Sequence, residues 1–207
     1  LLGEDAIARI TGAAPLGFRT PGYNIDAWLF HIIEERGYTY DSSIFPCPPY
    51  YAAKGMVMSY LSLTGNPSRS AMTSPKTLLA PITPYKPARG SIWRQDADML
   101  TSQRPWQVPM ALVPGLRFPL IGTSLHMVGA VGFEALRPLL RRAYPRLFQL
   151  EFHAIDFMDS TDEGVEDLVE HQPDLRIPWE VKKARYASIF TSLSKDYRFD
   201  TLLHGVA

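Results

Sequence analysis

The sequence predicts an α/β fold, and three observations carry the prediction. Between residues 17 and 41 a short strand, a helix and a second short strand follow one another, the alternation that builds parallel sheet. Gly12, Pro15, Pro21, Gly22 and Gly37 punctuate the joints between them. Three predicted strands finish in polar residues, Arg19, Asp41 and His153, and polar strand ends on one edge of a sheet or barrel form an active-site rim.

Taken in order, Leu2, Ala6 and Ile10 recur at helical spacing, so residues 1–10 are predicted to be a helix already under way at Leu1. A chain that opens inside a helix, on Leu rather than Met, is expected to be the carboxy-terminal part of a longer one. Residues 17–19 form the first strand. Pro21 then fixes φ and biases Thr20 towards an extended conformation, and Gly22 permits a turn that a Cβ would obstruct. Asn24 is a good N-cap for the apolar run Ile25, Trp28, Leu29, Ile32 and Ile33, and Gly37 suits the residue after the helix. Residues 38–41 form the second strand and run into the Pro-rich loop at Phe45.

The middle of the chain is harder to pattern. Ala52 to Leu63 is predicted helical, and Pro75, Pro81, Pro84 and Pro87 argue against a long regular element between Thr73 and Gly90. Two short strands are expected around Pro114 and Gly115, and a helix over 129–142 with Arg141 and Arg142 suiting its dipole. Residues 47–128 read as an insertion, either a packed elaboration or a lid whose Tyr50, Tyr51, Trp93 or Trp106 stacks on sugar rings. Leu147 to His153 alternates as a strand should. Trp179 to Tyr197 is amphipathic, with Val181, Ala184, Ile189, Phe190 and Leu193 inward and Lys182, Lys183, Arg185 and Lys195 outward. Phe199 to Leu202 is predicted as a last strand.

Composition narrows the function classes. The 207 residues suffice for one domain with a substantial core. Basic and acidic residues balance at 21 each, which gives no support for a nucleic-acid or polybasic membrane partner. Cys47 is alone, so no internal disulfide forms. No apolar run approaches the roughly 18–20 residues that span a bilayer, and no signal peptide is recognisable. The chain is expected in the cytoplasm or on the cytoplasmic side of a membrane. The 18 prolines and 12% aromatics suit a loop-rich enzyme with a sugar-facing cleft.

Read as residues alone, Arg19 either serves chemistry or salt-bridges a neighbouring loop. Asp41 either tunes a catalytic group or caps the turn after it. The acidic run Asp156, Asp159, Asp162 and Glu163 is either a cation site or a solvated surface.

The stretch Gly17-Phe-Arg-Thr-Pro-Gly-Tyr23 resembles the Arg-x-Pro motif of the polysaccharide deacetylases (the NodB-homology, carbohydrate esterase family 4 group). Gly37-Tyr-Thr-Tyr-Asp-Ser-Ser-Ile-Phe-Pro46 resembles the segment that follows it in their bacterial exopolysaccharide branch, and Glu151 to Phe157 resembles the late hydrophobic-x-His motif. The resemblance covers about residues 1–46 and 146–203. It implies a distorted (β/α) barrel, here incomplete at the N-terminus, and a metal-dependent hydrolase that cleaves the C–N amide bond of an N-acylated sugar, polymeric or lipid-linked. Such a reaction needs an activated water, a stabilised oxyanion, a proton for the leaving amine and a held sugar. By the resemblance His153 is the general acid, a role that suits an imidazole near neutral pH. Asp41 is its tuning partner, with Asp156 as runner-up three residues away. Arg19 orients the catalytic base. Pro21 and Tyr23 shape the sugar site, the backbone N–H near Tyr23 helps to bind the oxyanion, and Phe152 lines the acetyl pocket. The family's Asp-Asp and His-x-x-x-His motifs, which precede the Arg-x-Pro turn, are absent here. His31, His126, His153, His171 and His204 include no pair three or four apart. The metal, expected to be zinc, is therefore expected to find its ligands upstream of Leu1. The rival expectation is a non-catalytic carbohydrate-binding or scaffold protein on the same fold.

Overall fold

A parallel pairing near the amino terminus organises the first half of the chain. In the computed structural model, which describes residues 2–206, β1 (Gly17–Phe18) pairs with β2 (Tyr40–Asp41), and β2 pairs with β5 (Trp106–Gln107), all parallel. Phe18 stands opposite Asp41, and Asp41 opposite Gln107, so the polar residues collect at the carboxyl ends of the three strands. Two antiparallel pairs accompany this sheet: β3 (Pro87–Ala88) with β4 (Ser91–Gln95), and β6 (Leu112–Val113) with β7 (Phe118–Pro119). The helices are α1 (Leu2–Thr11), α2 (Ala27–Glu35), α3 (Pro48–Leu63), α4 (Gly122–Ala143), α5 (Trp179–Leu193) and α6 (Leu202–Val206). Among the described residues the strands make these three small sheets and no closed barrel. No helix there is long and apolar enough to cross a membrane.

The chain divides into two compact units. One runs to Met110 and takes back the chain from Thr201 on; the other is Ala111–Asp200. The division falls inside the stretch 47–128 that reads as an insertion. Leu1, where the predicted helix is already under way, lies outside the described residues.

In the first unit α2 buries Phe30 and Ile33 against Ile25, Tyr38, Ile44, Ala80 and Ile92. Its cap differs from the expected one. Pro21–Tyr23 forms a 3₁₀ turn in which Gly22 takes φ +64° and Tyr23 φ +59°, conformations that delay the helix. Asp26, two residues after Asn24, is the N-cap, and its Oδ1 accepts the Leu29 amide at 2.8 Å. The apolar positions Leu2 and Ile10 of α1 face solvent. Glu4 holds that helix instead, receiving Arg36 at 2.6 Å and the Tyr38 hydroxyl at 2.8 Å.

The second unit departs furthest from expectation. Residues 147–153 form no regular strand. Their carbonyls serve two separate segments, Gln149 accepting the Ala111 amide at 3.3 Å and Glu151 the Gly122 amide at 3.0 Å. The alternation of that stretch thus marks an extended segment shared between neighbours rather than a ladder. The helix expected at 129–142 begins earlier, at Gly122, and breaks at Gly129, where φ is +66°. Helix α5 buries Ile189 and Leu193 and exposes Lys183 and Arg185 as predicted, and departs from prediction in its first turns, at Val181, Lys182 and Ala184. Lys182, Tyr186, Ile189, Ser192 and Leu193 are its buried residues, while Val181 is exposed. Lys182 is tolerated inside because its Nζ donates to the carbonyls of Met158 at 2.6 Å and Ile155 at 3.3 Å. The last strand predicted at Phe199 to Leu202 is replaced by α6, which belongs to the first unit.

Candidate functional site

The predicted site residues fall into two groups. Arg19, Pro21, Tyr23 and Asp41 belong to the first unit, and Phe152, His153 and Asp156 to the second.

In the first unit the strand ends are knitted by the two serines that follow Asp41. Arg19 donates from Nε to the Ser42 carbonyl at 3.0 Å and from a terminal nitrogen to Ser42 Oγ at 2.8 Å. Ser42 Oγ in turn donates to the Val108 carbonyl at 2.8 Å, just past β5. The Thr20 amide donates to Ser43 Oγ at 2.8 Å, and that hydroxyl donates to Asp41 Oδ1 at 2.5 Å. Each serine oxygen therefore accepts from one strand end and donates to another. Arg19 thus reaches the loop after β2, where Ser42 accepts its hydrogen bonds.

Asp41 is fully buried. Burial pushes its carboxyl up to about 6, against the opposing pull of the Ser43 hydrogen bonds, the Gln107 carboxamide and the Arg19 charge. Gln107 lies near enough to exert that pull, yet neither of its side-chain polar atoms meets hydrogen-bond geometry, and Thr20 Oγ1 is likewise buried without a partner. A buried carboxyl of raised pKa among unsatisfied polar groups is a frequent mark of a functional site. Tyr23 is buried, with its ring 4.7 Å from Phe45 and 5.5 Å from Tyr50. Its amide, the expected oxyanion donor, already donates to the Thr20 carbonyl at 3.3 Å. Pro21 is exposed at the start of that turn.

In the second unit His153 caps a 3₁₀ turn, Ala154–Phe157. Its imidazole is exposed, with 62% of the side chain accessible, and Nδ1 lies 3.9 Å from Oδ2 of Asp156, a carboxylate that is itself buried. The same Oδ2 accepts the His153 backbone amide at 2.7 Å, so the oxygen that holds the chain also lies within ion-pair range of the ring. Behind it, Thr123 Oγ1 lies 3.4 Å from Asp156 Oδ1 and 2.6 Å from Asp174 Oδ2. Gly122 is required here, because a Cβ at that position would sit 2.3 Å from the Asp156 carboxyl. Lys182, through the Ile155 and Met158 carbonyls, braces the turn from below. Phe152 is half-buried against Phe157, Tyr186 and Phe190 at ring distances of 5.4, 5.4 and 5.6 Å. This cap can present a proton to a ligand from the solvent side while its carboxylate stays fixed.

Sequence reasoning missed several of these groups. Gln107 joins Asp41 only through a strand pairing across 66 residues, which no local pattern announces. Ser42 and Ser43 were visible as a run, but not as the links between strand ends. Thr123, Asp174 and Lys182 carry no sequence signal, and Lys182 reads as a surface residue. The aromatic residues expected of a lid are engaged internally: Trp93 Nε1 donates to Thr77 Oγ1 at 3.0 Å, and Lys86 lies over Trp106 at 5.1 Å. Among the described residues no group of three or more His, Cys, Asp or Glu is arranged to hold a metal ion. No protein-family model, curated protein or solved structure matches the chain.

Proposed function

We propose that the chain belongs to a carbohydrate deacetylase built on a distorted (β/α) barrel, hydrolysing the C–N amide bond of an N-acylated sugar. The observation that supports this most is the exposed His153 imidazole set against the buried Asp156 carboxylate. In the proposed reaction a water oxygen bonds to the acyl carbon, and as that tetrahedral adduct collapses to acetate the C–N bond breaks, its bonding pair passes to the nitrogen and His153 gives that nitrogen a proton. Asp156, beside the ring at 3.9 Å, offsets the imidazolium charge in place of Asp41. Arg19, through Ser42, fixes the loop after β2, which suits a positioning role. Asp41 supplies that loop with a buried, titratable anchor. Zinc, which the sequence resemblance implies, finds no fitting donor set among the described residues.

The test is acetate release from an N-acetylated glucosamine oligomer by the full-length protein. Release in proportion to enzyme supports the reading. Binding of the oligomer without any release replaces it with the rival, a carbohydrate-binding protein without turnover.

A further inference from the structure

A groove of about 390 Å³ opens in the second unit beside the His153 turn, within the range of about 300–1,000 Å³ usual for small-molecule sites. Phe157 and Trp179 stand at its aromatic side, their rings 6.0 Å apart and inclined at 69°. Phe157 is 41% exposed, although it also touches Phe152 and Tyr186, so one large apolar ring is left facing water next to a cavity. Asp159, Asp162 and Glu180 supply the polar lining, and no basic side chain is among the lining residues described.

The lining is rigid where it matters. Asp159 is buried and accepts Thr161 Oγ1 at 2.6 Å, the Thr161 amide at 2.8 Å and the Trp179 amide at 2.5 Å. Those donors hold its carboxyl down at about 2, so it stays charged. Its bond to Trp179 also ties the carboxylate to the residue that carries the larger ring. Asp162 Oδ2 accepts the Asp159 amide at 2.7 Å and closes the loop. Lys182 is engaged on the Ile155 and Met158 carbonyls, and Lys183 lies 3.6 Å from the lining carboxylate Glu180, on side chains that are both exposed, so a ligand ammonium competes with it there.

We propose that this groove binds an amine-bearing pyranose, the free-amine unit of a partly de-acylated glycan. An aromatic ring takes the apolar C–H face of a sugar. Carboxylates take an ammonium by charge-assisted hydrogen bonds, and an indole adds attraction for the same charge. An N-acetylated unit brings the sugar face but no charge. The proposal rests on the deacetylase reading for the source of its ligand and gives that reading a subsite for the product end of the polymer.

The experiment compares binding of a glucosamine tetramer and its fully N-acetylated counterpart to the full chain by isothermal titration at pH 6. The amine form is expected to bind at least about tenfold more tightly, and Trp179→Ala and Asp162→Asn are each expected to lose about tenfold. Glu180→Gln, on an exposed side chain, repeats the charge test without risk to the fold. Equal binding of the two tetramers, insensitivity to all three substitutions, or equal displacement by the linear polyamine spermidine overturns the proposal. Acetate release is read separately. Release without amine binding removes the subsite alone, and amine binding without release removes the deacetylase reading alone.

Discussion

The two polar clusters solve opposite problems. At the strand ends of the first unit, Asp41 is buried completely and served by Ser43, and its carboxyl is pushed up towards neutrality. At the 3₁₀ cap of the second unit, the carboxylate Asp156 is equally buried but its histidine partner stands in solvent. The first arrangement buries a carboxyl and disfavours its charge. The second fixes a carboxylate beneath a ring that solvent reaches. A titratable residue at a predicted strand end is therefore not one kind of signal: the Asp41 cluster ties strands together, whereas the His153 cap sets an imidazole in solvent. Under the proposed function, positioning and proton transfer fall to different units of the chain.

The largest expected effect comes from breaking the second cluster. Gly122→Ala drives a Cβ to within 2.3 Å of the Asp156 carboxyl and displaces it. Overpacking of this kind costs about 1–3 kcal/mol, and urea denaturation should show a loss at the upper end of that range. Acetate release should fall with it, because the carboxylate beside the His153 ring is displaced. Unchanged stability would mean that the turn yields freely and that Asp156 is not held.

The first cluster is sharpened by removing its charge. Folding raises the Asp41 carboxyl from 3.8 to about 6, so the folded protein holds this proton more tightly than the unfolded chain does. Its stabilising contribution is full below pH 3.8 and is lost as pH rises through about 6. The shift corresponds to roughly 3 kcal/mol in favour of the neutral form. Asp41→Asn should therefore flatten stability between those pH values. At pH 7 it should raise stability by about 1–2 kcal/mol once the loss of one acceptor for Ser43 is counted. A fall in stability at pH 7 would place the charged form, not the neutral one, at the centre of the strand-end network.

The smallest effect serves as the control. Asp26→Ala removes the cap of α2 and should cost about 1 kcal/mol, with acetate release unaltered. Asn24→Ala should cost less, since Asn24 is not the residue that accepts the Leu29 amide.

Much of the first unit was legible because its signals are local. The β1–α2–β2 alternation lies within residues 17–41, and Gly22 and Pro21 mark its turn. The cap was misplaced by two residues because Tyr23 adopts a left-handed conformation that favours glycine and that its sequence does not advertise. The β2–β5 pairing was invisible for the same reason that Gln107 was missed: tertiary pairing, not propensity, makes a two-residue strand. In the second unit the alternation of 147–153 was a true sign of extension. The missing strand reflects where its hydrogen bonds go, to Ala111 and Gly122 in turn. Lys182 shows the limit of amphipathic reading, since a long cationic stem can lie inward once carbonyls meet its ammonium. His153 and Asp156 were legible as a candidate pair from their spacing, and the geometry sets Asp156, the runner-up, 3.9 Å from the ring.

The most direct test of this division of labour is kcat for acetate release by His153→Ala in the full-length protein, with thermal unfolding measured on the same sample. Its ring is exposed, so Tm should stay within a degree or two of the parent, while kcat falls about 10²–10⁴-fold, the span general acid catalysis commands. A kcat unchanged by the substitution would contradict the account and remove His153 from the chemistry.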